Sequence, residues 1–395
     1  MITKFDSSFA GHVDMADIGY GGTAVNDRWF ANDHLVTVFD KTVAIAQLMD
    51  RTGFDTFWLA EHHFQPEGYE CIPNILMLSV HLASLTTDLR FGCGFNIAPM
   101  WHPLRLAEDY ATADVLTKGR VTFGVGRGYH TREVETFDAP LLDQSANRDL
   151  FEEQVDVIFK AFNEPSFSHQ GHYYTIPPRV PYRGYELEEI TLVPRPLTLP
   201  VECWQPIQSA TQRGLDFMAK HNIRGTIGGG VAEGGALRKV VEGYRDAQSR
   251  AGRKLELGEG LSIGFHFFID DSREAAIKKA ASFFEENLKI FGPLRLVRSL
   301  SDEQVEIMSD PKRAPYADLP RLENAVDAGA FLCGTPEDII ERLKRLEEQY
   351  PGLERIGMGQ PVGVPQAVIL EQLQRLAEEV MPAFKGRVET GAPAD

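Results

Sequence analysis

The chain has 395 residues, 43% hydrophobic and 25% charged, a composition that excludes a disordered or fibrous protein. Its length exceeds the usual single domain but suits an α/β barrel. The formal net charge of −17 repels phosphodiester backbones, so no nucleic-acid partner is expected.

Helix-like and strand-like segments alternate along the chain. After a weak strand near ITKFD, the stretch HLVTVFDKTVAIAQLMDRTG places Leu35, Phe39, Val43, Ala46 and Met49 at helical spacing, with Gly53 set to end it. FDTFWLA follows as a short apolar strand, NILMLSVHLASLT as a helix and LRFGCGFNIA as a strand. LRLAEDYATADVLTKG predicts a helix stopped at Lys118 and Gly119, RVTFGVG a strand, and ANRDLFEEQVDVIFKAFN a long helix with acidic residues early and Lys160 late. A proline- and tyrosine-rich stretch near 163–200 interrupts the pattern and reads as an insertion with a hairpin. Alternation resumes with VECWQPI, the helix around ATQRGLDFMAKH, IRGTIGGG, a helix after Gly235, LSIGFHFFI and the helix SREAAIKKAASFFEENLKIF. A second irregular stretch, near 291–333, precedes TPEDIIERLKRLEEQY, an amphipathic helix capped by Thr335 with Pro336 at its first position. LERIGMG is the last strand, PQAVILEQLQRLAEEVMPAF the closing helix, and residues 386–395 a flexible tail.

Some eight β/α units result, which predicts a single (β/α)8 TIM-type barrel over residues 1–385 with two insertions; an open doubly wound sheet is the alternative. Either fold gathers ligands at the C-terminal ends of the strands. No run of about 20 apolar residues predicts a membrane span. Cys71, Cys93, Cys203 and Cys333 form no CxxC or zinc spacing, and MITKFDSSFAGHVD lacks a signal-peptide pattern, so a cytoplasmic protein with reduced thiols is expected.

WLAEHHF places Glu61, His62 and His63 just past a strand, on the catalytic rim of a barrel. A metal site, an acid/base site and a structural pair all remain open there. Adjacent histidines on extended chain point opposite ways, so they do not reproduce the HExxH arrangement. GRVTFGVGRGYH sets Arg127 among Gly124, Gly126 and Gly128, ahead of Tyr129. Exposed backbone N–H groups and a bidentate guanidinium suit a phosphate, with Arg148 near enough in sequence to join. A simple turn with a rim ion pair is the competing reading. Gly92 and Gly94 in RFGCGFNIAP mark either a close approach to a ligand or a tight barrel corner. GxSxG, GxxxxGK[ST] and HExxH are absent, which argues against an α/β-hydrolase, a P-loop enzyme and a zinc protease.

Taken together, GFDTFWLAEHHF, then LRFGCGFNIAPMWHPLRLAEDYATADVLTKGRVTFGVGRG, then GTPEDIIERL and LAEEVMPAF resemble the bacterial luciferase-like, flavin-dependent monooxygenases in order and spacing. The resemblance is dense over residues 53–160 and looser over 163–330. It implies a (β/α)8 barrel that binds reduced FMN and reacts it with O2, through a flavin hydroperoxide, to oxygenate a small organic substrate. By the same resemblance His62 is the catalytic histidine. Gly94 and Phe95, with Asn96 beside them, fall where the family has a non-prolyl cis peptide against the flavin ring. Arg127, with Gly128 and Tyr129, falls where the family holds the FMN phosphate. Arg148 is a second basic contact, and Ser209 and Thr211 supply further hydroxyls. Gly126 stands where light-emitting members carry a cysteine, which points to a non-luminous chemistry. No convincing NAD fingerprint appears, so a separate flavin reductase is expected as partner; a homodimer or higher oligomer and no metal are expected as well. Three rivals stay open: a deazaflavin (F420)-dependent oxidoreductase of the same fold, a barrel hydrolase binding metal through His62, His63 and Asp55, and a catalytically silent flavin-binding paralogue.

Overall fold

The computed structural model describes residues 1–208, 210–228, 236–297 and 300–385. Eight parallel strands close into a barrel: β1 (Lys4–Phe9), β2 (Thr56–Leu59), β3 (Arg90–Cys93), β4 (Val121–Gly126), β5 (Cys203–Pro206), β6 (Arg224–Gly228), β7 (Leu261–Ile269) and β8 (Arg355–Gly359). Each pairs with the next, and β8 returns to β1 with Lys4 opposite Arg355 and Asp6 opposite Gly357. Parallel strands are covered on both faces, which is why TFWL and VTFGVG read as continuous apolar runs rather than alternating ones. Phe5, Phe57, Phe91, Phe123 and Ile263 are fully buried. The open doubly wound sheet is therefore excluded by the β8–β1 pairing.

The helices form where capping and periodicity place them. Among these, Thr37–Thr52 ends at Gly53 in a left-handed conformation (φ 78°). Asn74 caps Ile75–Ser84, Asp143 caps Gln144–Asn163 and Ser272 caps Arg273–Phe291, each accepting from backbone N–H groups of the first turn. Thr335 and Asp338 form a capping box on Pro336–Gln349, with proline at the first position. The buried stripe of the first long helix agrees with its sequence spacing at Ala46 and Met49, with Val43 packed against the core, and departs from it at Phe39. Val38, Thr42, Ile45 and Met49 face the core, while Phe39 is exposed. The buried face is thus centred slightly to the Val38 side of the predicted row, which leaves only Phe39 of that row exposed.

The two irregular stretches carry small elements. His169–Gln170 pairs antiparallel with Thr175–Ile176, and Pro181–Tyr182 with Tyr185–Glu186. The second stretch contains helices Asp302–Met308 and Leu322–Asp327, and ends in a strand, Phe331–Gly334, added parallel to β7. The sequence expects no strand there: FLCG stands alone in an irregular stretch with no β/α alternation around it to mark it. The tail, 386–395, lies outside the described residues.

Candidate active site

The C-terminal ends of the strands surround a cavity of about 320 Å³. Its walls come from the segments after β2, β3, β4 and β5, from the helix Gln212–Lys220, and from Phe291 and Leu296 at the far end of the Arg273–Phe291 helix. Two chemically distinct ends face it.

One end is cationic. Arg127 follows β4 directly, and its Nη1 donates to Asn147 Oδ1 at 3.1 Å. The Asn147 amide in turn donates to the Arg127 carbonyl at 3.2 Å. Among the described residues Arg127 has no carboxylate within ion-pair distance, whereas Arg148 is 3.7 Å from Glu152 and Arg213 is 2.6 Å from both Asp149 and Glu152. Burial, with the charges of Arg148 and Arg213, lowers the Arg127 pKa. Thr211 stands at the N-terminus of the nine-residue helix Gln212–Lys220 but makes no capping bond with its side chain. Arg127, Arg148, Thr211 and Gly214 in the first turn of that helix all line this end of the cavity, donors of the kind an anion requires. Gly128 has φ +82° and a Cβ there would come 2.5 Å from Val134, so both conformation and space demand glycine.

The other end is acid–base. His62 leaves β2 with its ring 4% exposed and beside the cavity. Its Nδ1 is 3.2 Å from Glu133 Oε2, and its Nε2 is 3.0 Å from the Tyr129 hydroxyl and 3.2 Å from Glu70 Oε1. The Tyr129 hydroxyl donates to Glu70 Oε1 at 2.7 Å. Gln65 Nε2 donates to the second Glu70 oxygen at 2.9 Å, and His130 Nε2 is 2.8 Å from that oxygen. Burial disfavours the charged forms, but the opposed charges outweigh it: the His62 pKa is raised, the Glu133 pKa is lowered, and the Glu70 pKa falls to about 2. Burial and Glu70 push the Tyr129 phenol well up. His62, Glu70 and His130 bring ligand atoms within 4.8 Å of one another, the spacing of a metal site, and here Glu70 contacts both histidines.

His63 faces elsewhere. Its Nε2 is 3.2 Å from Glu61 Oε1 and its ring stacks edge-on to Phe137 at 4.9 Å. Glu61 also accepts from the backbone of Ile97 at 2.7 Å and from the Trp101 indole at 2.8 Å, so it ties the end of β2 to the loop after β3. Asp55 lies at the opposite end of β2, accepting from Phe5 N at 2.8 Å. The metal-hydrolase trio His62, His63 and Asp55 is therefore not assembled.

Of the other sequence candidates, Gly94 and Phe95 line the cavity and are joined by a cis peptide. Arg127, Gly128, Tyr129, Arg148 and Thr211 also line it. Asn96 is fully buried behind the wall, its amide donating to the Gly124 carbonyl at 2.9 Å. Ser209 lies outside the described residues. Gly92 serves packing rather than a ligand, since a Cβ there would fall 2.2 Å from the Trp58 indole. The sequence reading missed Glu70, His130 and Glu133. They sit in FQPEGYECIPN and RGYHTREVET, and no motif spacing connects two loops that follow different strands.

The luciferase-like monooxygenase family pattern matches residues 17–351 of this chain. The chain belongs to that family. It is 25% identical over 357 residues to the oxygenase component of the flavin-dependent trigonelline monooxygenase of Acinetobacter baylyi, covering 88% of this chain and 90% of that one. An uncharacterised Sinorhizobium fredii protein, y4vJ, is 34% identical over 142 residues, 36% of this chain and 39% of its own length. The oxygenating constituent of 3,6-diketocamphane monooxygenase from Pseudomonas putida, solved in complex with FMN, superposes with a TM-score of 0.70 at 19% identity, over 97% of this chain and 98% of that one. Among the described residues no helix is long and apolar enough to cross a membrane.

Proposed function

We propose that this chain is the oxygenase component of a two-component monooxygenase, taking reduced FMN from a separate reductase and using O2 to oxygenate a small organic substrate. The observation that carries this reading is the pairing, within one cavity, of an arginine that has no carboxylate of its own with a buried histidine held at both ring nitrogens. The donor set at the cationic end fits the phosphate of FMN: Arg127 and Arg148 would hold it, with Thr211 and the N-terminus of the Gln212–Lys220 helix completing the shell. The cis Gly94–Phe95 segment and the glycine-lined end of β4 would form the floor for a flat ring. When bound, reduced FMN would supply activation of O2 and transfer of one oxygen atom to the substrate.

The chain's own residues do the rest. Arg127 binds and orients. Phe291, Leu296, Leu215 and Met218 give the cavity apolar walls, which exclude water from a site where reactive oxygen chemistry would otherwise be wasted. His62 moves the proton at the acid–base end, buried but coupled through Tyr129 to the cavity. The relative's trigonelline and the diketocamphane enzyme's ketone are the substrates of those proteins; here the apolar walls support a compact, largely apolar molecule. The test is oxygen uptake with a flavin reductase, NADH and FMN across a panel of aldehydes, ketones, alkanes, terpenes and N-methylated aromatics. Substrate-dependent uptake with a product bearing one atom from ¹⁸O2 is expected. Uptake that yields only hydrogen peroxide with every class would count against it.

A further inference from the structure

His62 has two ring nitrogens, and in this fold both face acceptors. Nδ1 lies 3.2 and 3.3 Å from the two oxygens of Glu133. A carboxylate can only accept, so Nδ1 carries a proton. Nε2 lies 3.0 Å from the Tyr129 hydroxyl, and that hydroxyl is 2.7 Å from Glu70 Oε1. A phenol has one proton to give. With that proton on Glu70, it offers His62 only a lone pair, and Nε2 needs a proton as well. Turning the phenol proton to Nε2 instead would leave Glu70 Oε1, 3.2 Å from the same nitrogen, facing two lone pairs. His62, Glu70 and Glu133 are 4%, 1% and 2% exposed, and lone pairs opposed at such depth are costly because no water relieves them.

We propose that His62 rests as an imidazolium, clamped by Glu133 on one side and by the Tyr129–Glu70 pair on the other, and that it enters the reaction as a proton donor rather than a proton acceptor. Glu70 and Glu133 are then positioning residues that act through His62. In the step, the Nε2–H bond breaks and the proton passes to an acceptor atom in the cavity, directly or by way of the Tyr129 hydroxyl. The ring is left neutral and regains a proton from water between turnovers. The reaction role rests on the proposed function, while the resting protonation state stands on this chain's own contacts. The charged and titratable groups facing His62 are Glu61 on its own segment, Glu70 on the loop after β2, and Tyr129, His130 and Glu133 after β4; Arg132 nearby is turned outward onto Glu67 at 2.8 Å. Burial opposes the charge, Glu70 and Glu133 favour it, and the balance lies above the ordinary imidazole value. The sign follows: the stabilising charge is fully present below about pH 6.5 and is lost as pH rises through the raised value.

The test is nitrogen NMR of cofactor-free protein labelled with ¹⁵N-histidine, titrated from about pH 5 to 9, with the His62 signals assigned by their loss in His62→Gln. Both His62 nitrogens are expected to remain protonated through neutrality, with a midpoint above about 6.5. Glu133→Gln, whose amide oxygen still accepts from Nδ1, should lower that midpoint by about one pH unit or more, and Glu133→Asp should restore most of it. Turnover should lose its alkaline limb at correspondingly lower pH in Glu133→Gln. A merely structural role would depress the rate at every pH and leave the limb in place. A midpoint at or below the ordinary imidazole value, a single neutral tautomer near neutrality, or a stoichiometric metal ion on Nε2 in the purified protein overturns the proposal. Because the titration needs no flavin, its outcome stands apart from the success or failure of the cofactor reading.

Discussion

The two ends of the cavity are built on opposite principles. At the acid–base end, every charged group is answered by the chain: Glu70 accepts from Tyr129 and Gln65 and sits against His62 and His130, and Glu133 sits against His62 and accepts from Gln65 at 3.0 Å. At the cationic end, Arg127 has one amide partner and no carboxylate among the described residues, and Thr211 leaves its helix uncapped. A network closed on itself fixes protonation and geometry. A set of donors left open awaits an anion from outside. On the function proposed above, one end would hold the cofactor and the other would move the proton, and the two functions should fail separately.

His62→Ala gives the largest expected effect. Turnover should fall by about 10²–10⁴, the usual worth of one positioned proton-transfer group, while reduced-flavin affinity stays near that of the parent. Single-turnover flavin oxidation beside an equilibrium titration separates the two. A matched loss of binding and turnover would erase the distinction between the ends. Arg127→Ala should do the reverse. A charged hydrogen bond contributes roughly 1.5–3 kcal/mol, so FMN affinity should drop about 10- to 200-fold, with riboflavin, which lacks the phosphate, bound alike by both proteins. The smallest effect sharpens the comparison within EHH. His63→Ala removes a partner of buried Glu61 and a ring packed on Phe137, and should cost about 1–3 kcal/mol of stability without changing the chemistry of the folded fraction. Thermal melts, with activity normalised to folded protein, check it. A well-folded His63→Ala protein that does not turn over would place the catalytic histidine one residue away.

What the sequence made legible follows the same division. Arg127, Gly128 and Tyr129 stand together after one strand, and His62 stands three residues past another, so strand order alone carried them to the rim. The strands TFWL, VTFGVG and LSIGFHFFI were readable because a parallel barrel buries both faces. Glu70, His130 and Glu133 were not readable as a cluster. Glu70 is 8 positions after His62 in a loop without period, while His130 precedes and Glu133 lies within a one-turn helix, Thr131–Val134. Only closure of the barrel brings those loops together. Tyr129 shows the limit of motif reading. Its position suggested a cofactor contact; it lines the cavity, and its hydroxyl also meets Glu70 and His62. The exposed Phe39 shows another: helical spacing identified the helix and most of its buried face, but not where the edge of that face falls.

The division of the cavity is tested most directly by anaerobic equilibrium titration of the parent protein with reduced FMN, reduced riboflavin, oxidised FMN and a reduced deazaflavin cofactor. The open cationic end predicts one reduced FMN per chain. It should bind more tightly than oxidised FMN and about 10- to 200-fold more tightly than reduced riboflavin, and the deazaflavin should not displace it. Equal affinity for reduced FMN and riboflavin, or displacement of FMN by the deazaflavin, would contradict it.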